Sequence, residues 1–176
     1  MHSGAVVMGD PKREMCVFVI RLGLDSFEVS PKPPPFVSGR IWLELGGRSF
    51  PGYDWSDMPL SVVGSLGEAI RYARSGETAD FYFFEGAYFV KVSPEGRGSA
   101  GPVVRVSGVH DRLHAIVEAE GGVFEAETVG VVEAETVVSL ADLEDVYVRC
   151  VQDLRAWADE HGHAEITALL AQQYSL

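Results

Sequence analysis

The stretch LHAIVEAEGGVFEAETV, residues 113–129, decides the fold class, because it predicts a β-hairpin. Apolar and polar residues alternate on both sides of Gly121 and Gly122, and a glycine pair favours the tight turn that joins two antiparallel strands. With these glycines as the turn, one face of the hairpin is apolar. That face carries Leu113, Ala115, Val117, Ala119, Phe124, Ala126 and Thr128. An antiparallel sheet with one buried face is therefore predicted.

The opposite face of this hairpin is predicted to be acidic. It carries four candidate binding residues, Glu118, Glu120, Glu125 and Glu127. In the same register Glu118 lies directly opposite Glu125, and like charges in that position destabilise a sheet. Either the pair is tolerated at a site that attracts a basic partner protein, or the strands adopt another register. The first alternative predicts a binding surface on this face.

A short repeat overlaps the hairpin. The pentapeptide EAETV occurs at residues 125–129 and again at residues 133–137, eight residues later. Because eight is an even number, one continuous strand would keep the glutamates of both copies on one face. Alternatively, one copy forms a surplus loop. Two copies are too few for a repeat architecture, and a small tandem duplication is the simplest origin.

The remaining pattern predicts an α+β fold, with a mostly antiparallel β-sheet, a central helix and C-terminal helices packed on one face. Further strands are predicted at residues 15–22, 37–45, 81–84, 87–92 and 103–106. The first of these is nearly all apolar, which is typical of a strand buried on both faces. Residues 1–14 are predicted to be disordered and residues 15–176 to form a single domain.

Two helical regions follow from apolar spacing and capping signals. The first is predicted at residues 56–75, with Ser56 as its N-cap, and the second at residues 139–174 with a break at Gly162. Ser139 and Asp142 resemble a capping box at the start of the second region.

The segment at residues 81–92 predicts another hairpin, with Glu85 and Gly86 as its turn. In that register Tyr82 faces Phe89, so aromatic residues occupy both faces of the hairpin. One face would join the core, and we expect the other to be covered by a helix. The alternative is an exposed binding surface, which includes the interface of a possible homodimer.

An aromatic loop at residues 46–59 separates a predicted strand from a predicted helix. Phe50, Tyr53 and Trp55 must either enter the core or offer a surface to another molecule. We expect Trp55 and Phe50 to anchor the loop in the core. Arg48 and Tyr53 then remain as candidate binding residues.

The charge of the chain restricts its partners. Twenty-six acidic and 14 basic residues give a net charge of −12 over 176 residues. Such a surface repels phosphate backbones and anionic membranes, so neither nucleic acid nor membrane is an expected partner. Basic proteins are attracted to it. The charge also serves solubility, which is the simpler explanation.

No catalytic or cofactor motif was found, and no cofactor is expected. His110, His114, His161 and His163 could bind a metal only through tertiary proximity, and their loose spacing is more typical of surface histidines. Cys16 and Cys150 form no zinc or disulfide pattern and suggest small buried side chains in a cytoplasmic protein. The sequence leaves an enzymatic role open but favours binding.

Three segments resemble a known group of proteins: GRSFP at residues 47–51, WSD at residues 55–57 before a predicted helix, and FEGAY at residues 84–88. The chain from about Val37 onward resembles small uncharacterised actinobacterial α+β proteins akin to immunity proteins of polymorphic toxin systems. The EAETV repeat departs from that pattern. The resemblance implies a protein-binding or neutralising role and no catalytic residues.

Two functional hypotheses follow. The first is an immunity-like cytoplasmic protein that binds a basic protein partner through the acidic hairpin face. The second is a small-molecule-binding protein or enzyme with an aromatic pocket between residues 46–59 and residues 81–92.

Overall fold

A computed structural model describes residues 17–30, 36–99, 101–119 and 123–173, except for the side chains of residues 114–119, 123–127 and 173. The elements in chain order are β1 (Phe18–Val29), β2 (Val37–Leu45), β3 (Arg48–Phe50), β4 (Ser56–Asp57), α1 (Pro59–Arg74), β5 (Ala79–Tyr82), β6 (Tyr88–Gly98), β7 (Gly101–Ala119), β8 (Val123–Ser139), α2 (Leu140–Glu160) and α3 (Ala164–Gln173). The predicted α+β class is confirmed. The strands form two four-stranded antiparallel sheets. The predicted disordered segment, residues 1–14, lies outside the described residues.

The first sheet contains β1, β2 and β3 in that order, and β4 also pairs with β2. The prediction for β2 is confirmed, because Ile41, Leu43 and Leu45 are fully buried along one face. The prediction for β1 was wrong in its burial, since Phe18 is the one buried residue of this strand. Strand β1 lies at the edge of the sheet, where no described strand shields its outer side.

A bulge interrupts the pairing of β1 with β2. Gly23 pairs with Arg40 and Glu28 pairs with Ser38, so residues 24–27 all lie opposite Gly39. A Cβ atom at Gly39 would lie 2.5 Å from the Phe27 ring, and the φ angle of this glycine is +155°. The bulge therefore requires glycine at this position of β2.

The second sheet contains β5, β6, β7 and β8 in that order. Both copies of EAETV lie within β8, so the prediction of a surplus loop was wrong. The predicted pairing of Glu118 with Glu125 was also wrong, because Glu118 pairs with Phe124 and Glu125 pairs with Val117. The turn is one residue longer than predicted, and a shift of one residue changes which positions lie opposite each other.

The hairpin of β5 and β6 has the predicted register, with Tyr82 opposite Phe89. Phe81 and Phe83 are buried on its core side. Tyr82 and Phe84 remain 50% and 48% exposed, so the prediction that a helix covers the second face was wrong for the described part of the chain. Helices α1 and α2 contact strands of both sheets on the core side.

The start of α1 differs from the prediction, whereas the start of α2 agrees with it. Ser56 was predicted as an N-cap but belongs to β4, where it pairs with Arg40, and α1 begins after Met58. The N-cap of α2 is confirmed, because the Ser139 hydroxyl accepts a hydrogen bond from the Asp142 N–H at 3.0 Å and donates one to the Asp142 carboxylate at 2.6 Å. Gly162, at a φ angle of +74°, separates α2 from α3 as predicted. None of the described helices has the length and apolarity needed to cross a lipid bilayer.

The two sheets meet at close contacts. A Cβ atom at Gly108 of β7 would lie 2.7 Å from the Phe50 ring, and one at Gly46 would lie 2.6 Å from the Glu135 carbonyl oxygen. Phe50 is 1% exposed, so its predicted role as a core anchor is confirmed. This packing fixes the aromatic loop against the second sheet.

Candidate functional site

An open cavity of about 690 Å³ lies between the bulge of β1 and the segment that leads into α1. One wall comes from Ser26 and Glu28 together with Phe36, Ser38 and Gly39, and the other comes from residues 55–58 and 85–86. The second wall belongs to the two segments between which an aromatic pocket was predicted. The first wall was not predicted.

Asp57 holds the second wall together. Its side chain is 2% exposed, and its carboxylate accepts hydrogen bonds from the backbone N–H groups of Met58 at 2.7 Å and of Phe84 and Glu85 at 3.0 Å. The Trp55 Nε1–H donates to the same carboxylate at 3.2 Å. Asp57 thus joins the start of α1 to the turn after β5, and its oxygens are already engaged.

The ring of Trp55 is fixed by further packing. It lies edge-on to Tyr88, with ring centroids 5.2 Å apart. A Cβ atom at Gly86 would lie 3.0 Å from the Tyr88 ring and 3.5 Å from the Trp55 ring, and the φ angle of Gly86 is +118°. Trp55 is half-buried and packs against the core, which confirms its predicted anchoring role.

The cavity lining is negatively charged. Its described residues include Glu28, Asp57 and Glu85, and none of them is a lysine, an arginine or a histidine. Glu28 and Glu85 are exposed, whereas the carboxylate of Asp57 is buried. The exposed ring of Phe36 and the half-buried ring of Trp55 supply aromatic surface beside these carboxylates. Carboxylates and aromatic faces in one cavity favour a cationic group.

The structure places the predicted binding residues elsewhere. Arg48 is exposed and donates from Nη1 to the Glu133 carbonyl oxygen at 2.7 Å, which links the two sheets. Tyr53 is 77% exposed and packs edge-on against Trp42, with centroids 5.2 Å apart. Neither residue lines the cavity.

The four candidate glutamates of the acidic hairpin lie outside the described side chains. Glu118, Glu125 and Glu127 belong to the ends of β7 and β8, and Glu120 lies outside the described residues altogether. The backbone register puts Glu125 and Glu127 opposite Val117 and Ala115, and Glu118 opposite Phe124, so the prediction that Glu118 shares one acidic face with Glu125 and Glu127 was wrong. Whether these glutamates bind a partner stays a prediction.

Three residues that line the cavity were not predicted as binding residues. Asp57 lies in a segment that was predicted as the start of a helix, and no binding role was predicted for it. Glu28 and Phe36 lie on either side of a proline-rich stretch, residues 31–35, and outside the strands predicted at residues 15–22 and 37–45. No local signal shows that a bulge in β1 brings these residues beside Trp55.

A second charged cluster lies on the hairpin of β7 and β8. The Glu133 carboxylate accepts a hydrogen bond from Arg112 Nη2 at 2.6 Å and lies 3.2 Å from His110 Nδ1. His110 also stacks on Tyr88, with centroids 4.4 Å apart. Burial by itself raises the pKa of Glu133, but the hydrogen bond from Arg112 and the contact with His110 outweigh it and hold the pKa below its usual value.

This cluster predicts a loss of stability in acid. Because the pKa of Glu133 is lower in the folded state than in the unfolded state, its stabilisation is present above pH 4.5 and is lost as the pH falls below that value. Glu133→Gln should therefore lower the free energy of unfolding at pH 7 by roughly 0.5–1 kcal/mol and less at pH 3. Urea denaturation at both pH values measures this.

Glu77→Gln is the control, because the Glu77 side chain is exposed and has no ion pair with a described residue. If the loss in the free energy of unfolding changes between pH 7 and pH 3 by the same amount in both variants, Glu133 does not have the predicted stabilising role.

Among the described residues, no group of three or more histidine, cysteine, aspartate or glutamate side chains is arranged to hold a metal ion. His161 and His163 pack against Trp157, with centroid distances of 5.2 and 5.3 Å. The side chain of His114 lies outside the described part.

Cys150 is buried, as predicted, and burial raises the pKa of its thiol well above the usual value. A thiol in that state is a poor nucleophile. Cys16 lies outside the described residues.

No family model, curated protein or solved structure matches this chain. The resemblance to immunity-like proteins therefore stays a prediction.

Proposed function

We propose that this chain is a cytoplasmic binding protein that recognises a cationic group in the cavity beside Asp57. The observation that carries the proposal is the lining of that cavity, whose described residues include three acidic side chains and two aromatic rings and no basic side chain. A cation is the ligand for which both kinds of lining residue are favourable.

The lining residues have separate roles in this proposal. Asp57 fixes the wall and has its oxygens occupied by internal donors. Glu28 and Glu85 are exposed, have no ion pair with a described residue and can pair with an ammonium or guanidinium group. Phe36 and Trp55 offer their rings to the same group. The net charge of −12 raises the rate at which a cation meets the cavity.

The cation has two possible sources with the same chemistry. It can be a lysine or arginine side chain of a basic protein, as the immunity-like hypothesis requires, or a free organic amine. In the first case the acidic hairpin, with Glu118, Glu120, Glu125 and Glu127, would add long-range attraction. In the second case the cavity alone would bind the ligand.

We expect Glu28→Lys to weaken binding of a cation at least about tenfold, because it puts a positive charge into the cavity. Calorimetric titration with arginine methyl ester and with a hexapeptide of alternating lysine and arginine measures this for a free amine and for a basic chain. Glu77→Lys is the matched control, since it changes the net charge equally at an exposed residue that does not line the cavity.

The outcomes separate the alternatives. Equal weakening by Glu28→Lys and Glu77→Lys would show attraction by net charge alone and contradict the cavity site, as would no binding of either probe at millimolar concentration. If the hexapeptide binds more tightly than arginine methyl ester and loses that advantage when the charges of the four hairpin glutamates are reversed, a basic protein is favoured as the partner. Binding of arginine methyl ester that this reversal leaves unchanged would favour a free amine.

Independently of the cavity, the exposed aromatic face of β5 and β6 favours a possible homodimer in which this face is the interface. Tyr82 and Phe89 lie 6.0 Å apart between ring centroids, and Phe89 pairs with Val109 on the next strand. Light scattering of the purified chain distinguishes a dimer from a monomer. A dimer that Tyr82→Lys dissociates would support this interface, and a monomer would contradict it.

A further inference from the structure

Strand β1 has an open edge. It pairs with β2 along one side, and no described strand pairs with its other side. Backbone N–H and C=O groups that point outward from an edge strand can pair with another extended chain. Natural edges are commonly protected by lysine or proline, but residues 18–23 of β1 contain neither.

A groove of about 360 Å³ follows this edge, between β1 and α2. Ile20 and Leu22 lie opposite Leu43 and Ile41 of β2, so they are on the core side of the sheet, and they stay half-buried in the groove. Val146 contributes apolar surface from α2. A chain added beside β1 would therefore find apolar contacts on the helix side and backbone partners along the strand.

The groove also carries unpaired positive charge. Arg21 on β1 and Arg149 on α2 both line it, both are exposed, and neither forms an ion pair with a described residue. Five other arginines are paired with carboxylates: Arg40, Arg71, Arg74, Arg105 and Arg112. Among the described lining residues Asp153 is the one acidic side chain, so this part of the lining has a net positive charge in a strongly acidic protein.

We propose that this groove binds an extended, acidic segment of a partner protein, which adds to the first sheet as a strand beside β1. Side chains of an added strand alternate between its two faces. An acidic side chain on the helix side meets Arg149, and one on the opposite side meets Arg21, which shares that face with Trp42. The groove and the cavity beside Asp57 have no lining residue in common, so this inference is independent of the proposed function.

The test selects ligands from a phage-displayed library of random ten-residue peptides and measures the selected peptides by fluorescence anisotropy. We expect selected sequences to share β-favouring residues with at least one glutamate or aspartate. Arg149→Glu should weaken their binding at least about tenfold, because the charge that attracts the carboxylate is reversed. Arg155→Glu is the matched control, since Arg155 is an exposed arginine on the same helix that does not line the groove.

Amide hydrogen exchange provides a second readout that charge alone would not change. Added pairing along the strand should slow exchange of amides in residues 18–24 when a selected peptide binds. Unchanged exchange there, equal weakening by Arg149→Glu and Arg155→Glu, or a failure to select acidic peptides would each overturn the proposal. A dimer by light scattering whose β1 amides are already protected would assign the edge to a second copy of the chain and would overturn it too.

Discussion

Replacing Asp57 by alanine is expected to lower the free energy of unfolding by about 3–5 kcal/mol, since a buried group with several hydrogen-bonded partners is lost. The N–H groups of Met58, Phe84 and Glu85 and the indole N–H of Trp55 would all lose their acceptor. These donors belong to two segments, residues 55–58 and residues 84–85, that are distant in sequence. Urea denaturation followed by circular dichroism measures the loss.

Two asparagine variants separate the effect of the Asp57 charge on stability from the effect of the volume that its side chain fills. Asp57→Asn keeps the shape but turns an NH₂ group toward backbone donors, and it should cost roughly 2 kcal/mol. Asp54→Asn, in the same loop, weakens an exposed ion pair with Arg40 and should cost less than about 1 kcal/mol. If Asp57→Ala and Asp57→Asn are no worse than Asp54→Asn, Asp57 does not organise the cavity wall.

The second large effect is expected for Phe50→Ala, which should cost about 3–5 kcal/mol because it leaves a cavity between the two sheets. Phe50 is 1% exposed, and its ring lies edge-on to Phe83 and Tyr88, with centroids 6.0 and 5.7 Å away. Gly108 closes the site from β7 with no side chain that could fill the void. Thermal and urea unfolding measure the change.

Tyr53→Ala is the control for this prediction, because it removes an aromatic ring from the same loop at a position that is 77% exposed. It should change stability by less than about 1 kcal/mol. If Phe50→Ala lowers the free energy of unfolding by as little as is expected for Tyr53→Ala, the loop contributes little to the contact between the sheets. A small stability change in Tyr53→Ala also makes this variant suitable for testing Tyr53 as a binding residue.

The two predictions show which parts of the aromatic loop could be interpreted from sequence. Phe50 and Trp55 were expected in the core, because large rings among turn residues need apolar surroundings. Asp57 was not recognised, because its partners Phe84 and Glu85 come from a turn 27 and 28 residues further along the chain. A carboxylate in a sequence does not show which N–H groups will surround it.

The same distinction applies to the fold. Strand β2 and helix α2 were predicted well, because alternation in the first and a capping box with an apolar stripe in the second are local properties. The burial of β1 and the start of α1 at Pro59 were not, because β1 became an edge strand and Ser56 paired with Arg40 of β2. For β1 no described strand covers the outer side, and for Ser56 a distant partner competed with the local preference.

By itself the sequence determined the α+β class, the hairpins, the capping of α2 and the acidic character of the chain. These follow from periodicity, turn residues and charge, which need no knowledge of distant contacts. Only the tertiary structure decided that the hairpin at residues 113–129 excludes a Glu118–Glu125 pair. It also decided that a bulge in β1 faces Asp57 across a cavity. The physical reason is that register and burial depend on hydrogen bonds and packing between segments far apart in the chain.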